Sequence, residues 1–182
     1  MNRPDEHLAE VRRRVAASRY GADRAELEAL VARSAGPVLT RPLPGPALPA
    51  ARLLPPTALR IATDPLDLER SAEVLSAVLD EDLTVVRRHL GGNLRQVDGA
   101  STLLAVRWGE NVVGTLTLVL TEDVAGTVAG LHALAVASPF RERGIGRALA
   151  VRALELATGA GADLAVTTAP LTGLGFSPAE EA

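Results

Sequence analysis

The stretch Leu131–Ala157 constrains this chain more than any other. Leu131-His132-Ala133-Leu134-Ala135-Val136 is apolar except for one histidine, as expected of a buried strand. Ser138-Pro139-Phe140-Arg141-Glu142-Arg143-Gly144-Ile145-Gly146 then reads as a tight basic turn. Leu149, Arg152, Ala153 and Leu156 follow at helical spacing. The stretch reads as a buried strand, a tight glycine-bearing turn and an amphipathic helix in succession.

The turn has the chemistry of an anion site. The start of a helix leaves backbone N–H groups without partners and carries partial positive charge, so a phosphate there satisfies both. Gly144 and Gly146 lack a Cβ, which lets a ligand approach the backbone. Arg141, Arg143 and Arg147 add positive charge around the same point. A plain strand-to-helix turn with a solvated basic rim accounts for the same residues, and spacing alone leaves both readings open. Two other phosphate loops are excluded. The chain has no Gly-x-x-x-x-Gly-Lys-Ser/Thr segment, and Leu149 stands where a dinucleotide fingerprint needs a third small residue. Asp163 lies near the distance for the acidic partner of that fingerprint, but it would begin a strand rather than end one.

Arg141-x-x-Gly144-x-Gly146, behind a strand ending Leu134-Ala135-Val136, resembles the acyl-CoA pyrophosphate loop of the GNAT N-acetyltransferase superfamily. The Leu131–Val136 run followed by Phe140-Arg141 is most similar to arylalkylamine N-acetyltransferases. The likeness is strong over 128–157, loose over 57–127 and absent from 1–56. It implies an α/β (α+β) domain with a mixed, mostly antiparallel central sheet flanked by helices. It also implies acetyl-CoA as cosubstrate, no metal, and transfer of an acetyl group to a primary amine of a small molecule or peptide. In that reading the main chain of Leu134, Ala135 and Val136 pairs with the pantetheine arm. Arg141, Glu142, Arg143, Gly144, Ile145, Gly146 and Arg147 cradle the pyrophosphate.

The resemblance also points to His132 as a base. An amine must lose a proton before it attacks a thioester, since its conjugate acid titrates near pH ~10. A neutral imidazole takes that proton directly or through water. A histidine hydrogen-bonded within the sheet is the plainer alternative. A second histidine that the resembled enzymes carry two positions earlier is Gly130 here. Their tyrosine acid also has no counterpart, because the only tyrosine is Tyr20. Ala169–Leu174 leaves little room for the helix that would bear it. Gly175-Phe176 is present, but the family's last strand is not evident. An edge would then lie open, to be covered by a homodimer partner or by an element from 1–56. With these parts gone, a degenerate module that binds acyl-CoA or a partner protein without turnover is the alternative function.

The remaining sequence sets the frame. The 182 residues suffice for one domain and an appendage. The alanine-, leucine- and arginine-rich composition suggests a GC-rich bacterial genome. A net charge of −3 argues against a broad nucleic-acid or anionic-membrane surface. There is no cysteine, hence no disulfide and no thiolate chemistry. The charged opening, MNRPDEHLAEVRRR, is unlike a signal peptide, no apolar run is long enough to span a bilayer, and a cytoplasmic setting is expected.

Residues 1–35 read as a helical arm, either packing on the domain or helping to bind an acceptor. Residues 36–56, with seven prolines among Pro37, Pro42, Pro44, Pro46, Pro49, Pro55 and Pro56, read as a linker or, less simply, a ligand for a proline-binding module. Residues 57–182 form the expected catalytic domain. Within it, Thr63 or Asp64 caps a helix with a Leu68, Ala72, Leu75, Val78 and Leu79 stripe. A second helix is expected to stop at Gly91-Gly92. Gly114 marks a bulge or close packing, and Thr121-Glu122-Asp123 reads as a loop.

Overall fold

The computed structural model describes residues 38–50, 52–94, 101–123, 126–171 and 173–178. The helical arm expected over 1–35 lies outside the described residues. In chain order the elements are β1 (Leu39–Pro42), β2 (Thr57–Ile61), α1 (Pro65–Leu79), α2 (Leu83–Leu94), β3 (Ser101–Trp108), β4 (Asn111–Asp123), β5 (Gly126–Val136), α3 (Ile145–Gly159), β6 (Leu164–Thr167) and β7 (Ser177–Pro178). The seven strands form one sheet in the order β2-β3-β4-β5-β6-β1-β7. Among the described residues only β5 and β6 run parallel, and every other neighbouring pair is antiparallel. The mixed, mostly antiparallel sheet flanked by helices is therefore the fold.

Strand alternation builds two cores from one sheet. Leu104, Val106, Leu116, Leu118, Ala129 and Leu131 bury against α3, whose Ile145, Leu149, Ala153 and Leu154 form the facing stripe. Leu103, Ala105, Val112 and Ala135 point the other way, onto Ala72 and Leu75 of α1 and Val86 and Leu90 of α2. Gly114 sits at both features expected of it. The β3–β4 register shifts beside it, and a Cβ there would stand 2.7 Å from Ile145 Cγ2.

Asp64 starts α1 as its N-cap, its carboxylate accepting the Asp67 N–H at 2.7 Å, with Pro65 in the first turn. That hydrogen bond, then the Arg107 and Arg60 charges, holds the Asp64 carboxyl below its usual range. Asp67 is 1% exposed and is held by Arg107 Nε at 2.7 Å and by Arg60 Nη2 at 2.6 Å. These two arginines, on β3 and β2, tie α1 to the sheet edge.

Four expectations change. The proline-rich segment is not only a linker: Leu39–Pro42 enters the sheet as β1 and pairs with β6 from Leu39↔Thr167 to Pro42↔Leu164. Proline is tolerated here because Pro42 ends the strand. The final strand is present, as the two-residue β7, and it pairs with β1 rather than with β6. An element from within 1–56 thus occupies the place beside β6. Two chain boundaries also move. Helix α2 runs through Gly91-Gly92 to Leu94, since glycine costs a helix only about 1 kcal/mol. Thr121–Asp123 continues β4, opposite Val128, Thr127 and Gly126. No helix among the described residues is long and apolar enough to cross a membrane.

Candidate active site

A fork in the sheet creates the site. Parallel pairing of β5 with β6 runs from Val128↔Leu164 to Leu131↔Thr167 and then ends. Thr167 closes the crotch, its hydroxyl donating to the Leu131 carbonyl at 3.1 Å while accepting the Ala169 N–H at 3.1 Å. Beyond it β5 continues to Val136 with β4 beside it, so Leu134–Val136 present an edge that β6 does not pair. A bulge precedes that edge. Thr117 pairs with His132 and Thr115 with Ala135, which leaves an extra residue in β5. Ala133 takes it up with φ of 51°, a left-handed conformation that costs a non-glycine residue about 1 kcal/mol.

The basic loop then turns the chain into α3. Ala137 N–H donates to Val113, and Ser138–Phe140 form a single 3₁₀ turn. Gly144 is the N-cap with φ of 77°, a value suited to glycine. The Ala148 N–H donates to the Gly144 carbonyl at 2.9 Å, so the N–H groups just before it have no partner within the helix. Ile145 anchors this start, its side chain 2% exposed in the core. A Cβ on Gly146 would lie 3.7 Å from Val136 Cγ2 and 3.9 Å from Leu134 Cδ2. The strand edge and the glycine loop expected from the sequence therefore meet at one point.

The expected charged groups surround it. Arg141, Glu142, Arg143 and Arg147 are all exposed. Arg141 Nε donates to the Val136 carbonyl at 3.2 Å, so that acceptor of the edge already has a partner. Arg143 lies 5.8 Å over the Trp108 ring and 5.4 Å over Phe140, whose centroids are 5.5 Å apart. Trp108 reaches the loop because the β3–β4 turn is only Gly109-Glu110. The proline-rich segment also arrives here: the atom nearest a Cβ on Gly144 is the Arg52 carbonyl oxygen, at 3.9 Å. Trp108, Thr167 and Arg52 were not legible as site residues. Trp108 alone carried a signal, as the only tryptophan, at a hairpin end.

His132 lies on the opposite face of β5 from Leu131, toward α1 and α2. It is 6% exposed and stands across from Thr117, which is 1% exposed. Its imidazole folds back over Gly130, where an added Cβ would be 2.3 Å from Nε2. Leu134 and Val136, by contrast, pack toward the α3 side. The structure thus brings the loop and the strand edge together and sets the histidine beside them, on the other face of the sheet.

Residues 68–172 match the sequence profile described as the acetyltransferase (GNAT) family. The chain belongs to the GNAT acetyltransferase family. Similar solved structures agree on the fold of this GNAT domain. A GCN5-related N-acetyltransferase from Kribbella flavida superposes with a TM-score of 0.57 at 16% identity, over 82% of this chain and 59% of its own. An aminoglycoside acetyltransferase from an uncultured soil metagenomic sample gives 0.55 at 20% identity, covering 64% of this chain and 82% of that one. Glucosamine-6-phosphate N-acetyltransferase from Arabidopsis thaliana gives 0.50 at 11% identity, covering 63% and 84%. The chain thus spans 59% of the length of the Kribbella protein. No curated protein matches the sequence. Among the described residues of the GNAT domain, no group of three His, Asp or Glu is placed to hold a metal ion.

Proposed function

We propose that this GNAT domain transfers the acetyl group of acetyl-CoA to a primary amine of a small molecule or peptide, by direct attack. The observation that carries this reading is the meeting of the Leu134–Val136 edge with the Gly144–Gly146 helix start. A Cβ on Gly146 would meet Val136 and Leu134 at ordinary contact distance, so strand edge and loop border one stretch of surface along which a ligand can pass from one to the other. The edge would pair with the amides of the pantetheine arm. The N–H groups at the start of α3, with Arg141, Arg143 and Arg147, would hold the pyrophosphate.

The chemistry asks little of the side chains. The amine nitrogen attacks the thioester carbonyl, its proton passes toward His132, and the C–S bond breaks to release CoA thiolate. A main-chain N–H of the Leu134–Val136 edge would stabilise the oxyanion formed on attack. The remainder is positioning of two bound reactants. No tyrosine lies in 57–182 to protonate the thiolate. A thiol titrates near pH ~8.5, so the thiolate leaves readily and gains its proton from water.

The same absence supports a second reading, a GNAT module that binds acyl-CoA without turnover. Screening amines for release of free CoA separates the two. The first reading expects CoA release with some primary amine and its loss in His132→Ala. Saturable acetyl-CoA binding with no turnover across the library supports the second, and absence of binding contradicts both.

A further inference from the structure

We propose that Gly130 is a positioning residue for His132, holding the imidazole in its place by having no side chain. This rests on the acetyltransferase reading above. Gly130 lies in the interior of the sheet, paired with Val119 on one side and Val166 on the other. Glycine weakens a strand interior, since it adds entropy to the unfolded chain and packs nothing. Its φ is not among the left-handed values of the chain, so the backbone does not require it. The space above it does. An ideal Cβ at 130 would stand 2.3 Å from His132 Nε2 and 3.1 Å from both Cδ2 and Cε1. The ring occupies that volume.

The consequence is directional. Side chains of 130 and 132 share a face, and the ring leans from 132 toward 130, away from the Ala133 bulge. Strand rise puts the level of Gly130 on the order of 10 Å from that of Leu134 along β5. An amine attacking a thioester beside Leu134 therefore gives its proton to a water, and that water gives one to the imidazole. The seat over Gly130 keeps the ring off the face above the bulge and leaves that face to the amine. With His132 only 6% exposed, a methyl at 130 shifts the ring within the packed interior rather than out into solvent. It pushes the ring along the strand, toward the space the amine needs.

The test is a double-mutant cycle in the full-length protein, read by kinetics and by thermal melting. Gly130→Ala is expected to lower kcat at least tenfold while KM for acetyl-CoA stays within twofold. In a His132→Ala background the added methyl meets empty space. There Gly130→Ala should not lower Tm, and the double variant should melt above Gly130→Ala alone. This last comparison holds even if Gly130→Ala folds poorly. A Gly130→Ala enzyme with the wild-type kcat, or additive Tm losses in the double variant, overturns the inference while leaving the acetyltransferase reading intact. A wild-type protein that binds acetyl-CoA but acetylates nothing removes that reading, and the catalytic half of this inference with it.

Discussion

Arg41 on β1 donates to the main-chain carbonyl of Leu174, 133 residues further along the chain. The same guanidinium donates to the Pro46 carbonyl and is 2% exposed. Gly45 and Gly175 pack on it so closely that a Cβ on either would fall within 2.9 Å of its nitrogens. One buried side chain thus clips the proline-rich segment to the loop before β7. Together with the β1–β6 ladder, it makes that segment part of the sheet.

Replacing Arg41 by alanine strands the buried Leu174 carbonyl, at a cost of about 1–3 kcal/mol, while water can take over the carbonyl of the exposed Pro46. The expected loss of stability is about 1–3 kcal/mol, measured by urea denaturation. A change under about 0.5 kcal/mol would mean that β1 is held by its ladder alone.

Asp67 is the second tie. Breaking a buried pair typically costs about 3–5 kcal/mol. Arg60 is 40% exposed and Arg107 18% exposed, so water compensates part of their loss. Asp67→Ala is expected at or below the low end of that range, with Asp67→Asn milder. Denaturation curves that overlay the wild type would show that the α1 core needs no such anchor.

Asp64 predicts a dependence on pH. Its folded carboxyl is held below the usual range by the Asp67 N–H, then by Arg107 and Arg60. A depressed acid stabilises the fold above its unfolded value, and that contribution fades as pH falls through the folded value. Asp64→Asn keeps a capping oxygen and removes the titration. The gap in Tm between wild type and Asp64→Asn should therefore narrow as pH is lowered toward about 3. A gap that widens on acidification would reverse the sign of the argument.

Trp108 offers an optical report on the candidate loop, being the only tryptophan. Arg143 stacks over it, and in the proposed complex Arg143 turns toward phosphate. Acetyl-CoA should change the tryptophan emission of the wild type and leave that of Arg143→Ala much less affected. Emission that does not respond to saturating acetyl-CoA would place Arg143 outside the binding step.

Much of the frame was legible because it rests on local chemistry. Asp64-Pro65 signals a helix start by itself. The Leu131–Ala157 stretch carries its own periodicity, and Gly114 announces a close approach. The parts that were not legible depend on contacts far apart in sequence. Nothing in Leu39-Thr40-Arg41-Pro42 says that Thr40 will pair with Val166, since a four-residue strand between prolines looks like a linker. Thr167 is an ordinary strand residue until the strands part beside it. Gly130 read as a missing histidine, and only the folded chain shows a ring in its place. The glycine loop was legible for the opposite reason: one short segment supplies the turn, the helix start and the charge together.

In the proposed function the Leu134–Val136 edge and the start of α3 form one binding surface for acetyl-CoA. Gly146 probes it, because a Cβ there would stand at ordinary contact distance from both Val136 and Leu134. A leucine there fits the fold while filling the space a ligand would take. Calorimetric titration of acetyl-CoA into the full-length protein should give a saturable isotherm. In Gly146→Leu, with an unchanged circular dichroism spectrum, affinity should fall at least tenfold. No binding heat at millimolar acetyl-CoA, or equal affinity in the two proteins, would mean that acetyl-CoA does not bind across this edge and loop.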